Sequence, residues 1–172
     1  MFSFYKKGRE DETMEVRFQT RITTGILYDY MLRHTYNSPS GLIGSVAGAI
    51  FIIAFFAKGH FLYLLAGAFL LLYLPGSLFL SAARQMKQVP AFKEPLSYRL
   101  CEEGIEVSQG GESQMQSWEK VYKVVSTGKS IILYNTKVNA WIFPRKDMGE
   151  AAPKVIEMIS THVPPQKVKI RW

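Results

Sequence analysis

Residues 41–57 read GLIGSVAGAIFIIAFFA, residues 58–60 read KGH, and residues 61–80 read FLYLLAGAFLLLYLPGSLFL. This stretch decides the architecture. Residues 35–57 hold no Asp, Glu, Lys, Arg or His, and neither do residues 61–83, so 46 positions carry no charge. A water-soluble globule interleaves charge with core residues at much shorter intervals. A bilayer core about 30 Å thick is crossed by about 20 helical residues, a length both runs reach with their uncharged flanks. On an insertion scale each Leu, Ile, Val or Phe contributes roughly −0.3 to −0.6 kcal/mol. The nine such residues of 41–57 sum to roughly −3 to −5 kcal/mol, and the twelve of 61–80 to roughly −4 to −7 kcal/mol. The expectation is a transmembrane hairpin over residues 38–83, with helices at about 38–57 and 61–83. A buried hairpin in a soluble protein would need more apolar chain to wrap it than the other 126 residues supply.

Lys58-Gly59-His60 is a three-residue connector, which forces the helices antiparallel, with Gly59 supplying the tight backbone. Both ends of the chain then lie on one side. Arg17, Arg21 and Arg33 precede the hairpin, Arg84, Lys87 and Lys93 follow it, and the connector holds only Lys58. Cationic flanks stay in the cytoplasm, so the chain is expected in the cell membrane as a two-pass protein with both termini cytoplasmic. A secretory signal would place an apolar run near residues 5–25, where this chain is polar. Gly44 and Gly48 form a small-xxx-small face, and Gly67 lies in a small Ala-Gly-Ala run on the second helix. Such faces admit close helix approach, either within one chain or between the two chains of a homodimer. Pro75-Gly76 predicts a kink. Neither helix has a polar residue larger than Ser or Tyr, so one copy offers no ion pathway.

Outside the hairpin the pattern changes. Residues 14–22 alternate as a strand. Thr23 or Thr24 caps a short amphipathic helix with Ile26, Leu27, Tyr30 and Met31 on one side, which either lies in the membrane interface or packs on the soluble domain. Residues 1–37 form this N-terminal unit. After Arg84 come short strands at 96–101, 105–108, 112–118, 122–126, 131–134 and 138–143, separated by turn signals such as Glu102-Glu103-Gly104, Gln109-Gly110-Gly111 and Thr127-Gly128-Lys129. Their spacing marks an antiparallel meander, which the strand at 14–22 is free to join. A closing helix begins either from an Asp147/Glu150 capping box or with Pro153 as its first residue, and Val155, Ile156 and Ile159 form its buried stripe. The domain spans residues 95–163. The tail, 164–172, alternates cation and apolar residue and adds an edge strand or touches the membrane surface. The expected fold class is membrane α+β: a two-helix hairpin with an antiparallel β, pleckstrin-homology-like domain closed by a C-terminal helix.

Residues 98–107 (YRLCEEGIEV), 116–125 (QSWEKVYKVV) and 140–146 (AWIFPRK), in this order after a strand, a short helix and an apolar hairpin, resemble the YcxB-like family of small bacterial membrane proteins. The resemblance covers residues from about 14 to 162. It implies a pleckstrin-homology-like fold at the inner membrane and supplies no catalytic or ligand residues.

The formal net charge is +7, which fits an anionic membrane surface better than nucleic acid beside two apolar runs. Cys101 is the sole cysteine, so no intrachain disulfide forms, and its strand-like setting suits a buried thiol more than a nucleophile. There is no Gly-rich phosphate loop, HExxH, GxSxG or CxxC. His34, His60 and His162 cannot meet, because the hairpin puts His60 across the membrane. Glu10-Asp11-Glu12 and Glu102-Glu103 read as solvated acidic turns or tails. Trp118 and Trp141 read as sheet residues. Lys129, Lys137, Arg145 and Lys146 are candidates for a basic rim at loop ends, facing lipid headgroups or simply attracted to the negative leaflet. The functional expectation is a non-enzymatic binding or regulatory module, without cofactor or metal, held in the lipid bilayer and acting on an unidentified protein partner. The alternative is an anionic-headgroup sensor using that rim.

Overall fold

The structure is a computed structural model and describes residues 14–171. The Glu10-Asp11-Glu12 cluster and Trp172 lie outside the described residues. Strand β1 (Val16–Thr20) turns Val16, Phe18 and Thr20 inward and Arg17 and Gln19 outward, as the period of two requires. It pairs antiparallel with β2 (Leu96–Cys101), in the register Val16↔Leu100 and Phe18↔Tyr98. The strand that precedes the hairpin therefore joins the domain that follows it. Strands β3 (Gly104–Gln109) and β4 (Glu112–Gln116) complete an antiparallel sheet of order β1-β2-β3-β4. The β3–β4 turn is Gly110-Gly111 with φ of 59° and 88°, the left-handed pair that a two-residue hairpin loop demands.

The rest of the domain does not continue this sheet. Strands β5 (Lys123–Ser126), β6 (Ser130–Tyr134), β7 (Ala140–Pro144) and the two-residue β8 (Val168–Lys169) form a second sheet, of order β7-β6-β5-β8. β8 runs parallel to β5, so part of the tail is an edge strand. The break between sheets falls at Trp118, expected at the end of a strand. It sits instead in a 3-10 turn (Trp118–Lys120), its ring buried and its Nε1–H donating to the Cys101 carbonyl at 2.9 Å. Burying the indole with its donor satisfied outweighs continuing an exposed strand. The last long strand starts at Ala140 rather than 138, because Thr136 Oγ1 accepts from the backbone N–H of both Val138 and Asn139 and folds residues 135–139 into a turn. The Asp147/Glu150 capping box is absent. Asp147 belongs to a separate turn of helix, α4 (Arg145–Met148), and its carboxylate accepts from the Arg21 N–H at 2.9 Å. The closing helix α5 (Ala152–His162) carries Pro153 in its first turn.

Phe143 is fully buried between the sheets, its ring 4.7 Å from Tyr98 and 5.3 Å from Phe18. Val155, Ile156, Met158 and Ile159 of α5 bury onto the same core.

Helix α1 (Thr24–Tyr36) is capped by Thr23, whose Oγ1 accepts from Ile26 N–H. Helices α2 (Pro39–Lys58) and α3 (Phe61–Gln88) are long and apolar enough to cross a membrane. Gly59 turns between them with φ 71°. Their large side chains face outward: Ile43 is 69% exposed, Phe56 79% and Leu62 77%. Within the chain the hairpin is therefore not a buried core. α3 runs unbroken through Pro75 and on to Gln88, past the end of the uncharged stretch. At 1.5 Å per residue, the 20 residues of α2 span roughly 30 Å and the 28 of α3 roughly 42 Å. That extension is packed rather than free. Ala82 of α3 is buried with Ile22, Leu27 of α1 and Ile142 of β7, and Tyr28 meets Phe79 edge-on at 5.5 Å. Of the two sequence-level options for α1, the structure takes packing on the domain.

Candidate functional site

Helix α1 is clamped from both sides, and this clamp positions the basic face of the molecule. One side meets α3. The other meets the second sheet, where Tyr30 Oη donates to the Val138 carbonyl at 3.0 Å and Tyr30 and His34 stack near Tyr134 at 6.2 Å each. The Thr127 hydroxyl in the β5–β6 turn donates to the Asp29 carboxylate at 2.6 Å. Thr127 Oγ1 also accepts from Lys129 and Ser130 N–H, which fixes that turn.

Arg33, four residues along α1 from Asp29, is thereby brought beside the turn. Two further arginines meet it there. Arg145 follows β7, its N–H bonded to the Lys129 carbonyl at 2.8 Å. Its Nη2 donates to the Arg171 carbonyl at 2.6 Å. Arg171 itself is tied to β5 by its N–H donating to Ser126 Oγ at 2.7 Å. The three arginines and residues Ser126, Thr127 and Gly128 line an open cavity of about 320 Å³. A second cavity, of about 450 Å³, shares Arg33 and adds Lys123, Lys167 and Lys169. Lys123 Nζ lies 4.6 Å above the Tyr134 ring, and Lys167 Nζ donates to the Val121 carbonyl.

The four residues expected to form a rim are not together. Lys129 and Arg145 adjoin at one end of the β6–β7 hairpin, and Lys146, exposed, follows Arg145. Lys137 is in the loop at the opposite end, past the Tyr134↔Ala140 pair. Arg33 and Arg171 line the cavity beside Arg145 instead. In the sequence Arg33 reads only as a flank of the first apolar run, and Arg171 only as one cation of an alternating tail. Among the helix-packing candidates, Gly48 and Gly67 face each other: a Cβ on Gly67 would lie 2.9 Å from the Gly48 carbonyl oxygen. Gly44 has nothing within 4 Å of a Cβ.

On the outer face of the first sheet Arg99 donates to Glu15 at 3.0 Å and Glu106 at 3.2 Å, and Arg17 also pairs with Glu15. Arg99, then Arg17, holds the Glu15 carboxyl below the usual range. Cys101 is buried, and that burial pushes its thiol up, away from nucleophilic use. His162 stacks on Trp118 at 5.1 Å, with its Nδ1 2.9 Å from the Met158 carbonyl. Trp141 is half-buried and contacts Tyr98 edge-on at 6.2 Å. Among the described residues no group of three or more His, Cys, Asp or Glu stands together as a metal site would require.

Residues 102–159 match the family model described as YcxB-like protein. The match begins in the β2–β3 turn and ends inside α5, so it covers most of the two-sheet domain and none of the hairpin. No curated protein matches the chain.

Proposed function

We propose that the YcxB-like domain is a non-catalytic binding module held rigidly at the cytoplasmic surface of the cell membrane by α2 and α3. The observation that carries this reading is the outward-facing apolar sleeve of the hairpin, of bilayer length, joined without slack to the domain through α1 and the α3 extension. Lipid acyl chains are the occupant that suits a sleeve roughly 30 Å long with no charge in it. The cations at Arg33, Arg84, Lys87 and Lys93, against the single Lys58 of the connector, favour cytoplasmic termini. Two sheets, antiparallel but for the short β5–β8 pair, with α5 packed on their shared core suit a pleckstrin-homology-like arrangement, a scaffold for binding rather than for chemistry. Holding such a module at a surface raises its effective concentration for whatever else is confined there. The docked α1 does more than a flexible tether would, since it sets which face of the domain meets the bilayer. The expected partners are the bilayer and a molecule at its inner surface, a protein among them.

The test is a pair of reporters in cells, one fused after Trp172 and one inserted between Lys58 and His60, together with carbonate extraction. The expected result is a membrane-retained protein with a cytoplasmic C-terminal signal and an external connector signal. Release by carbonate, or an external C-terminal signal, overturns the reading.

A further inference from the structure

Arg33, Arg145 and Arg171 come from three separate parts of the chain and converge on one cavity around the 126–128 turn. Such a concentration of guanidinium groups repels itself unless an anion is supplied. The nearby carboxylates do not supply it. Asp29 accepts from the Thr127 hydroxyl and Asp147 from the Arg21 N–H; both keep their charge, but neither forms an ion pair with these arginines. Among the described residues the ion pairs fall on Arg17 and Arg99, and none falls on these three arginines. Arg33 adds an independent observation. Its Nε–H is buried and has no acceptor among the described residues, so the chain itself leaves this guanidinium without an anionic partner.

The donor set selects the anion. A guanidinium presents five N–H groups in a planar fork that matches phosphate or carboxylate oxygens. Three forks exceed what one carboxylate accepts. A phosphate monoester, with three terminal oxygens and a charge between −1.5 and −2 at neutral pH, accepts from all three. The cavity, about 320 Å³, is at the small end of ligand clefts, about 300–1,000 Å³, so it suits a headgroup rather than a nucleotide. Its position selects the setting. Arg33 precedes Pro39, the first residue of α2, by six positions. Lys123 and Lys169 of the adjoining cavity extend the same positive face. We propose that the Arg33–Arg145–Arg171 cavity binds a phosphate monoester, supplied by an anionic lipid headgroup at the bilayer surface. The lipid source, though not the phosphate site, rests on the membrane reading above.

The experiment uses the full chain in detergent or in phosphatidylcholine nanodiscs, with phosphatidic acid as the lipid probe and inorganic phosphate as the soluble one, read by native mass spectrometry and by thermal shift. The expected result is one phosphatidic acid per chain, bound at least tenfold more tightly than phosphatidylcholine. Arg145→Gln and Arg171→Gln each weaken it about tenfold, Arg145→Lys weakens it less, and Lys137→Gln, at the far end of the hairpin, leaves it unchanged. Arg33→Gln is the third variant; should it fail to fold, the other two sit on different segments and decide alone. Saturable binding of inorganic phosphate without phosphatidic acid, lost in the same variants, supports the phosphate site and overturns its lipid source. An equal loss with Lys137→Gln, or no binding of either probe, overturns the proposal. The reporter fusions decide membrane topology independently, so a failure there is distinguishable from a failure here.

Discussion

The closest approach in the hairpin allows a sharp test of how its two helices meet. A Cβ added at Gly67 would lie 2.8 Å and 2.9 Å from Ile52 Cδ1 and Cγ1, and 2.9 Å from the Gly48 carbonyl oxygen. Ordinary contact is about 3.5–4.0 Å. The Ile52 side chain can rotate away, but the Gly48 backbone cannot, so α2 and α3 must part by roughly half an ångström or more. Overpacking of this kind costs about 1–3 kcal/mol. Gly44→Ala is the matched control, because its Cβ meets nothing within 4 Å. Both substitutions gain the same helix propensity, up to about 1 kcal/mol, so that contribution cancels in the difference. Gly67→Ala should therefore be less stable than Gly44→Ala by about 1–3 kcal/mol. SDS titration of the full chain in mixed micelles, read by pulse proteolysis, measures the difference. Equal midpoints would refute the reasoning. So would a dimer that Gly44→Ala dissolves while Gly67→Ala is tolerated, since that places the small-residue face between chains.

Three further outcomes follow from the soluble domain. Phe143 is fully buried against Phe18 and Tyr98, so Phe143→Ala should cost about 3–5 kcal/mol in chemical denaturation; a loss below 1 kcal/mol would contradict its place between the sheets. Trp118→Phe keeps most of the ring but strands the buried Cys101 carbonyl, and should cost about 1–3 kcal/mol, seen as a lowered thermal midpoint. Burial, and secondarily the neighbouring Tyr30, pushes the Tyr134 phenol up to about 12. A pKa raised in the fold means stability that is full below pH 10 and falls as pH rises toward 12, by roughly 2–3 kcal/mol at most. A pH series of thermal midpoints should show this fall, and Tyr134→Phe should reduce it without abolishing it, because burial also raises Tyr98 and Tyr30; an unchanged slope would remove Tyr134 as a source.

The elements that local pattern encodes were legible. Two long uncharged runs with a three-residue connector admit little but an antiparallel hairpin. The alternation around Val16 and Phe18 reads as a strand, and Gly110-Gly111 reads as a tight turn. Errors came where a residue answers to distant neighbours. Trp118 leaves its strand because the Cys101 carbonyl, seventeen residues earlier, takes its N–H. Asp147 caps no helix because Arg21, far back in the chain, claims its carboxylate. The expected rim is divided for a different, local reason: Lys137 and Arg145 flank one strand, and a strand puts its flanks at opposite ends.

Taken alone, then, the sequence determined a charge-free helical pair, short strands with their turns, and the sign of the charge beside the apolar runs. Hydrophobic period and insertion energy depend only on residues within a few positions of one another. Tertiary structure alone decided that α1 is clamped between α3 and the second sheet, that Gly48 rather than Gly44 faces Gly67, and that residues 33, 145 and 171 share a cavity. Each of these is a matter of rotation about a helix axis or of pairing across a hundred residues, and no local pattern carries either.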